Sequence, residues 1–444
     1  MNVELLKAKI LDLAIHGKLV PQLDSEPAVE QIGAVPDEIP FKIPEKWKWV
    51  KIQAITKINP KNKIEDLTAV SFIKMSAIKQ GYSDCFTQEI KLWKDVKKGF
   101  THFAEGDVLV AKITPCFENI KSTIATNLKN GFGAGTTELH VLRSSELVVS
   151  NYLLFFCKSP RFINDGVKSF TGTAGQQRIS TTWIKNYQIP LPPVEEQHRI
   201  VAKINELFSI LDIIDAKQKS LEEKLKLIKN KALDLAIHGK LVPQLDSEPA
   251  VEQIGEIPDE IPFEIPEKWK WVQLKRLIDI INGTSYKSGD VTTKGIRIIR
   301  GGNLNGFHIR PYKDDIFLPM SFYSEEKIVK GYDIVIVAST GSKDIIGKPA
   351  VLTTNLQCQI GAFLRIIRPK NKNTADYLKI FFQTKMYRNH IRQSVSGTNI
   401  NNIKKSYIEE LFIPLPPLKE QHRIVAKINE IFSFCDQAME ILHK

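Results

Sequence analysis

The chain contains itself twice. Leu11–Gly33 (LDLAIHGKLVPQLDSEPAVEQIG) returns unchanged as Leu233–Gly255, 222 residues later. The likeness runs on to Val50 and Val272, broken only at Ala34/Glu256, Val35/Ile257 and Lys42/Glu264. A second block, Ile189–Asp212, returns as Ile413–Asp436 at an offset of 224 with five changes. The stretches between the blocks, 51–188 and 273–412, are close in length and barely alike. A solenoid needs shorter and more numerous units. The layout is a shared frame carrying two unlike inserts, a tandem pair of domains on a common scaffold.

The frame reads as helix. Ile200, Ile204, Leu207, Leu211, Ile214, Gln218, Leu221, Leu225, Ile228, Ala232 and Leu235 follow a 4,3,4,3 spacing, the apolar seam of a coiled coil with one polar break at Gln218. Charges fill the positions beside it (Lys203, Glu206, Lys217, Lys219, Glu222, Glu223, Lys224, Lys226). Pro192-Pro193 opens this helix and Gly239 closes it, and about 45 residues at 1.5 Å each give a rod of roughly 65–70 Å. The same seam is split between the chain ends. Val3, Leu6, Ile10 and Leu13 match Leu225, Ile228, Ala232 and Leu235, while Ile424, Ile428, Ile431 and Cys435 match the series from Ile200. The two end pieces together form a second rod, antiparallel to the central one, in a cyclic, pseudo-twofold arrangement.

Charge separates the same parts. The net charge is +12, which points weakly to a polyanionic partner. Insert 51–188 holds 19 basic and 11 acidic residues, insert 273–412 holds 22 and 11, and the remainder is net −7. The polyanion-binding reading therefore belongs to the inserts, and the acidic frame suits protein partners. Charged residues at 25% and hydrophobic residues at 43% fit a folded globular chain. No apolar run reaches membrane-span length, Met1–Lys9 lacks the apolar core of a signal peptide, and five scattered cysteines argue for a reducing cytoplasm over a disulfide framework.

Both inserts read as mixed α/β. Asp107–Ile113, Glu138–Arg143, Asp333–Val337 and Ala362–Ile367 read as strands; Tyr152–Cys157 and Ala375–Met386 read as helices. Basic and amide residues gather at turns: Lys57, Asn59, Lys61, Asn62 and Lys63 in the first insert, Arg297, Arg300, Asn303 and Asn305 in the second. Each insert ends in a Gly-Thr loop followed by amides, Gly172-Thr173 with Gln176, Gln177 and Arg178, and Gly397-Thr398 with Asn399 and Asn402. Lys74, Lys112, Thr114, Tyr286, Lys287, Ser342 and Lys343 complete the candidate DNA-contacting set. Arg and Lys suit guanine edges and phosphates, and Asn and Gln suit adenine.

Catalytic constellations are missing. Gly341 with Gly347-Lys348-Pro349 is one residue too long for a phosphate loop and has proline where Ser or Thr belongs. Phe132-Gly133-Ala134-Gly135 sits mid-insert without a strand–turn–helix unit and reads as a turn. Ile58-Asn59-Pro60-Lys61 lacks the second proline and aromatic of an amino-methyltransferase motif. The nine histidines show no HExxH, no G-x-S-x-G elbow occurs, and His198 and His422 repeat inside the frame, where surface or interface packing is their expected role. No metal site is expected.

The doubled IPLPP(V/L)xEQHRIVAKI block leading into a heptad helix, and AIHGKLVPQ ahead of each insert, resemble the DNA specificity subunit of type I restriction–modification systems over essentially the whole chain. Gly106–Pro115, Thr136–Arg143, Ile298–Asn303 and Gly397-Thr398 resemble its target recognition domains, with Tyr332 standing between Gly331 and Asp333 where Gly-Asp is usual. The resemblance implies a split conserved helix at 1–17, recognition domains at 18–192 and 240–416, a central helix at 193–239 and a C-terminal helix at 417–444. It implies no catalysis by this chain. Each recognition domain would read half of a bipartite, asymmetric site on double-stranded DNA. Two adenine-N6 methyltransferase subunits and the restriction–translocase subunits would supply the chemistry, with S-adenosylmethionine, ATP and magnesium bound there and no cofactor here. A fused restriction–modification enzyme and a coiled-coil protein adaptor are the alternatives the residues leave open.

Overall fold

The computed structural model describes residues 2–34, 39–173, 175–354, 356–395 and 401–443. The chain divides into two compact units, Met1–Gln218 and Lys219–Lys444. One unbroken helix, Val194–Ile237, passes through the boundary.

Each unit contains an antiparallel helix pair. In the first, the N-terminal helix Val3–Ile15 lies along the start of the central helix: Lys7 bonds Asp212 at 2.5 Å, and beyond the helix Glu26 bonds Arg199. In the second, the end of the central helix lies along Leu418–His443, joined by Lys229–Asp436 at 2.5 Å and His443–Glu222 at 2.8 Å. Lys7 and Lys229 are repeat equivalents, as are Asp212 and Asp436. The same pair is thus built twice, once from the chain's start and once from its end.

The seam differs from the sequence reading. Ile214, Leu221 and Ile228 are 39%, 42% and 46% exposed. Buried or partly buried positions run instead Ile204, Phe208, Leu211, Asp215, Gln218, Glu222, Leu225, Lys229, Ala232 and Ala236. Both series obey 4,3 spacing and share every second member; the partner helix and the insert decide which alternate position faces inward. At Phe208 the insert decides it, because the ring meets Tyr82 and Phe155 at 5.8 Å.

The inserts share most of one topology despite their sequences, the second sheet having four strands in the first insert and three in the second. In the first, one four-stranded sheet has the order Thr56–Ile58, Leu139–Ser144, Val108–Ala111, Ser122–Ile124, and another has Glu89–Leu92, Ala69–Ile73, Phe132–Gly135, Thr101–Ala104. The second has Ile278–Asn282, Leu364–Pro369, Ile334–Val337, Pro349–Ala350, and a three-stranded sheet Ile316–Leu318, Ile296–Ile299, Cys358–Ile360. In both, the strand Ala69–Ile73 or Ile296–Ile299 pairs antiparallel on one side and parallel on the other. Each insert closes on its frame through a two-stranded ribbon, Lys48–Lys51 with Gln188–Leu191 and Lys270–Gln273 with Phe412–Leu415.

Two element readings are corrected. Phe132–Gly135 is a sheet-interior strand, not a turn. A Cβ on Gly133 would lie 2.1 Å from the Phe103 ring and one on Gly135 2.6 Å from the Ile73 carbonyl, so the glycines admit a ring and a backbone. The helix expected at Ala375–Met386 ends at Gln383, and a second begins at Lys385 because Thr384 accepts the Tyr387 N–H at its N-cap.

Candidate nucleic-acid interface

The joint between frame and insert is made by residues that repeat. Glu196, buried, accepts the Trp47 indole N–H at 2.9 Å, and Glu420 accepts that of Trp269 at 2.9 Å. Arg199 grips Glu26 at 2.8 and 2.7 Å, and Arg423 grips Glu248 at 3.1 and 2.8 Å. Burial raises the carboxyls of Glu196 and Glu420 above the usual range, against the hydrogen bonds from Trp47 and Trp269. The doubled Glu-Gln-His-Arg is therefore an anchor. His198 and His422 in it are exposed.

In the first insert the chain runs past Val108–Ala111 through Lys112–Thr114, and the returning segment Thr171–Ile179 lies beside it. Thr114 N donates to Gln177 O and Ile179 N to Lys112 O, both at 3.0 Å. This brings Lys112, Thr114, Gly172, Thr173, Gln176, Gln177 and Arg178 together. Gly172, Thr173 and Gln176 form an exposed tip, with Gly172 at φ +113 and Gly175 at φ +80. Arg178 clasps Glu138 at 2.8 and 3.0 Å and donates to the Gln176 carbonyl at 2.7 Å; its hydrogen bonds hold the Glu138 carboxyl below the usual range. Buried His140 meets the Ile179 carbonyl at 3.2 Å and Asn59 at 3.4 Å, and burial drives its imidazole down to about 4.

The other candidates there divide by what holds them. Asn59, at φ +50, exchanges hydrogen bonds with the Val141 backbone at 2.8 and 2.9 Å. Asn62 donates to Phe103 O at 2.8 Å and accepts from Arg143 at 3.2 Å. Both amides brace the fold. Lys74 pairs with Glu89. Lys57, Lys61 and Lys63 are exposed.

The second insert repeats the construction. Ser339–Thr340 pairs with Asn401–Asn402, and Ile403 N donates to Ala338 O at 2.9 Å. Asn402 is exposed there, while Gly397, Thr398 and Asn399 lie outside the described residues. Ser342 N bonds Thr340 Oγ1 at 3.2 Å, and Lys343 is exposed. Arg297 pairs with Asp315 and lies over the Phe317 ring at 4.8 Å. Asn303, buried, donates to Asp315 at 2.6 Å and to Arg310 O at 3.0 Å, so these two are braces as well. Lys287, Arg300 and Asn305 are exposed. Arg300 and Tyr286 line an open cleft of about 390 Å³ with Phe363, a residue the sequence reading placed inside a strand. That strand, expected from Ala362, starts two residues later, at Leu364, and Phe363 is 69% exposed.

The Gly-Asp signature also resolves. Asp107 binds Arg143 at 2.8 Å twice and caps Ala104 N at 2.7 Å; Asp333 binds Arg368 at 2.9 and 2.7 Å and caps Lys330 N at 2.8 Å. Tyr332 is thus no insertion. It occupies the position of Gly106 in a turn of the same length, without the positive φ of +83 that Gly106 has.

Among the described residues no cluster of three or more His, Cys, Asp or Glu is placed to hold a metal, and no helix is long and apolar enough to cross a membrane. Two spans of the chain, 44–223 and 266–441, match the family described as the type I restriction modification DNA specificity domain. The chain belongs to that family. The specificity subunit of the type I restriction enzyme EcoAI of Escherichia coli is 33% identical over 99% of this chain and 91% of its own length. That of EcoEI, also from Escherichia coli, is 29% identical over 98% and 90%. Among solved structures, a chain of a type I restriction–modification system superposes with a TM-score of 0.71 at 23% identity, covering 91% of this chain and 94% of that one. The HsdS subunit of Thermoanaerobacter tengcongensis gives 0.56 at 23% identity over 91% and 92%. These two share the specificity-subunit fold.

Proposed function

We propose that this specificity subunit reads a bipartite, asymmetric site on double-stranded DNA, with recognition domains 18–192 and 240–416 each contacting one half. The observation that carries this is the doubling itself: a shared strand order, built twice on a repeated frame, with a Gly-Thr sequence near the end of each insert and the segment after it returning to the same strand edge, yet clothed in unlike and strongly basic sequence. Like frames with unlike readers suit an asymmetric site. The contacts fall to the exposed candidates: Lys57, Lys61, Lys63, Gly172, Thr173, Gln176, Lys287, Arg300, Asn305, Lys343 and Asn402, together with Gly397–Asn399.

This chain does no chemistry in that scheme. Two adenine-N6 methyltransferase subunits dock on it and bring S-adenosylmethionine, flipping the target base; restriction–translocase subunits bring ATP and magnesium, and the complex works in the cytoplasm. The acidic frame supports paired docking. Leu5 and its equivalent Leu227 are 66% and 62% exposed, and Ile210 and its equivalent Phe434 are 46% and 68% exposed. Each unit therefore offers exposed apolar side chains at the same two positions, as two copies of one partner require. Sequencing methylated adenines in genomic DNA with and without the gene tests the reading: a two-part motif should lose its methylation when the gene is removed. Methyl transfer by the purified chain alone would contradict it.

A further inference from the structure

The strands Leu139–Ser144 and Leu364–Pro369 begin at equivalent places. Lys112 N donates to Glu138 O at 3.0 Å, and Ala338 N donates to Phe363 O at 2.8 Å. In the first unit the side chain at this position is a carboxylate closed off by Arg178. In the second it is a phenyl ring, 69% exposed, and it belongs to none of the second unit's hydrophobic cores. Packing does not explain the ring.

Its surroundings point to a ligand. Arg300 and Tyr286 share its cleft, and Arg300 is exposed, reaching the Asp314 carbonyl at 3.3 Å. An exposed aromatic ring beside a guanidinium group, in an insert of net charge +11, complements a polyanion that also carries apolar groups. The DNA major groove is such a surface: guanine presents acceptors to Arg, and thymine presents its C5-methyl to apolar side chains.

We propose that Phe363 is a specificity-determining residue, its ring packing against the C5-methyl group of a thymine in the second half-site while Arg300 hydrogen-bonds a neighbouring base edge. The first domain, with Glu138 closed by Arg178, reads its half without this contact. The inference rests on the DNA-reading function above, and its failure is separable from the failure of that function.

The test uses the complex with its methyltransferase subunits, on duplexes carrying the mapped site. Each thymine of each half-site is replaced in turn by uracil, which lacks only the methyl. Losing one buried methyl weakens binding about fourfold. The wild-type complex should show that loss at one position of the second half-site. Phe363→Ala should bind thymine DNA more weakly, show no loss with uracil at that position, and keep the wild-type response throughout the first half-site; Phe363→Leu should recover part of the thymine preference. The proposal is overturned if Phe363→Ala keeps the wild-type ratio of thymine to uracil, if no second-half thymine matters, or if both variants lose both half-sites together. A wild-type complex that methylates no two-part site would overturn the DNA-reading function itself.

Discussion

Gly17 and Gly239 show how tightly single residues are held. They sit at φ +66 and +65, and a Cβ would come 2.2 Å from Pro44 or 2.3 Å from Pro266. Gly17→Ala should therefore destabilise the first unit by more than ~2 kcal/mol, through both the backbone and the clash, as measured by urea unfolding; a change below ~0.5 kcal/mol would contradict the packing. His140 sets a pH dependence. Its folded-state value of about 4 lies below the usual 6.5 because it is buried, so the unfolded chain binds the proton more readily. Its contribution is fully present above pH 6.5 and is lost as pH falls toward 4. Replacing His140 with Asn should flatten the fall in stability between pH 6.5 and 4.5, and an unchanged slope would remove His140 as its cause. The sequence could not rank the polar candidates at this scale. Asn59 and Lys61 look alike as turn residues, and only the fold shows that Asn59 spends its amide on Val141 while Lys61 stays in solvent.

At the scale of elements, periodicity carried much and missed what depends on neighbours. The central helix and its stops were legible because two prolines and a glycine bound it; it runs Val194–Ile237. Which alternate positions turn inward was not, since Phe208 is chosen over Leu207 by Tyr82 and Phe155, residues distant in sequence. Phe132–Gly135 was unreadable as a strand for the same reason: glycine has low strand preference, and the cause of its presence is the Phe103 ring on the facing strand. Gly133→Val should accordingly cost about 3 kcal/mol or more, despite valine's better strand propensity. Gly133→Val with Phe103→Ala should recover part of that, and additive losses in a double-mutant cycle would refute the contact. Phe363 was hidden within an apolar run, and only the strand's actual start reveals it as exposed.

For the molecule as a whole, the repeat is the controlling fact. Two unlike inserts share most of one topology because each closes on the same frame with the same ribbon, the same Trp–Glu bond and the same Arg–Glu clasp. On this account an insert should be exchangeable without disturbing the helices. The central helix runs unbroken through the boundary at Gln218, so adding four residues there should change the length of the unread spacer and leave both half-sites as they were; a changed half-site sequence would contradict that division of labour. The most direct measurement is to replace residues 51–188 with the corresponding insert of a relative and map methylated adenines across the genome. One half of the two-part motif should change and the other should persist base for base, whereas a change in both halves, or in neither, would contradict modular reading by two independent domains.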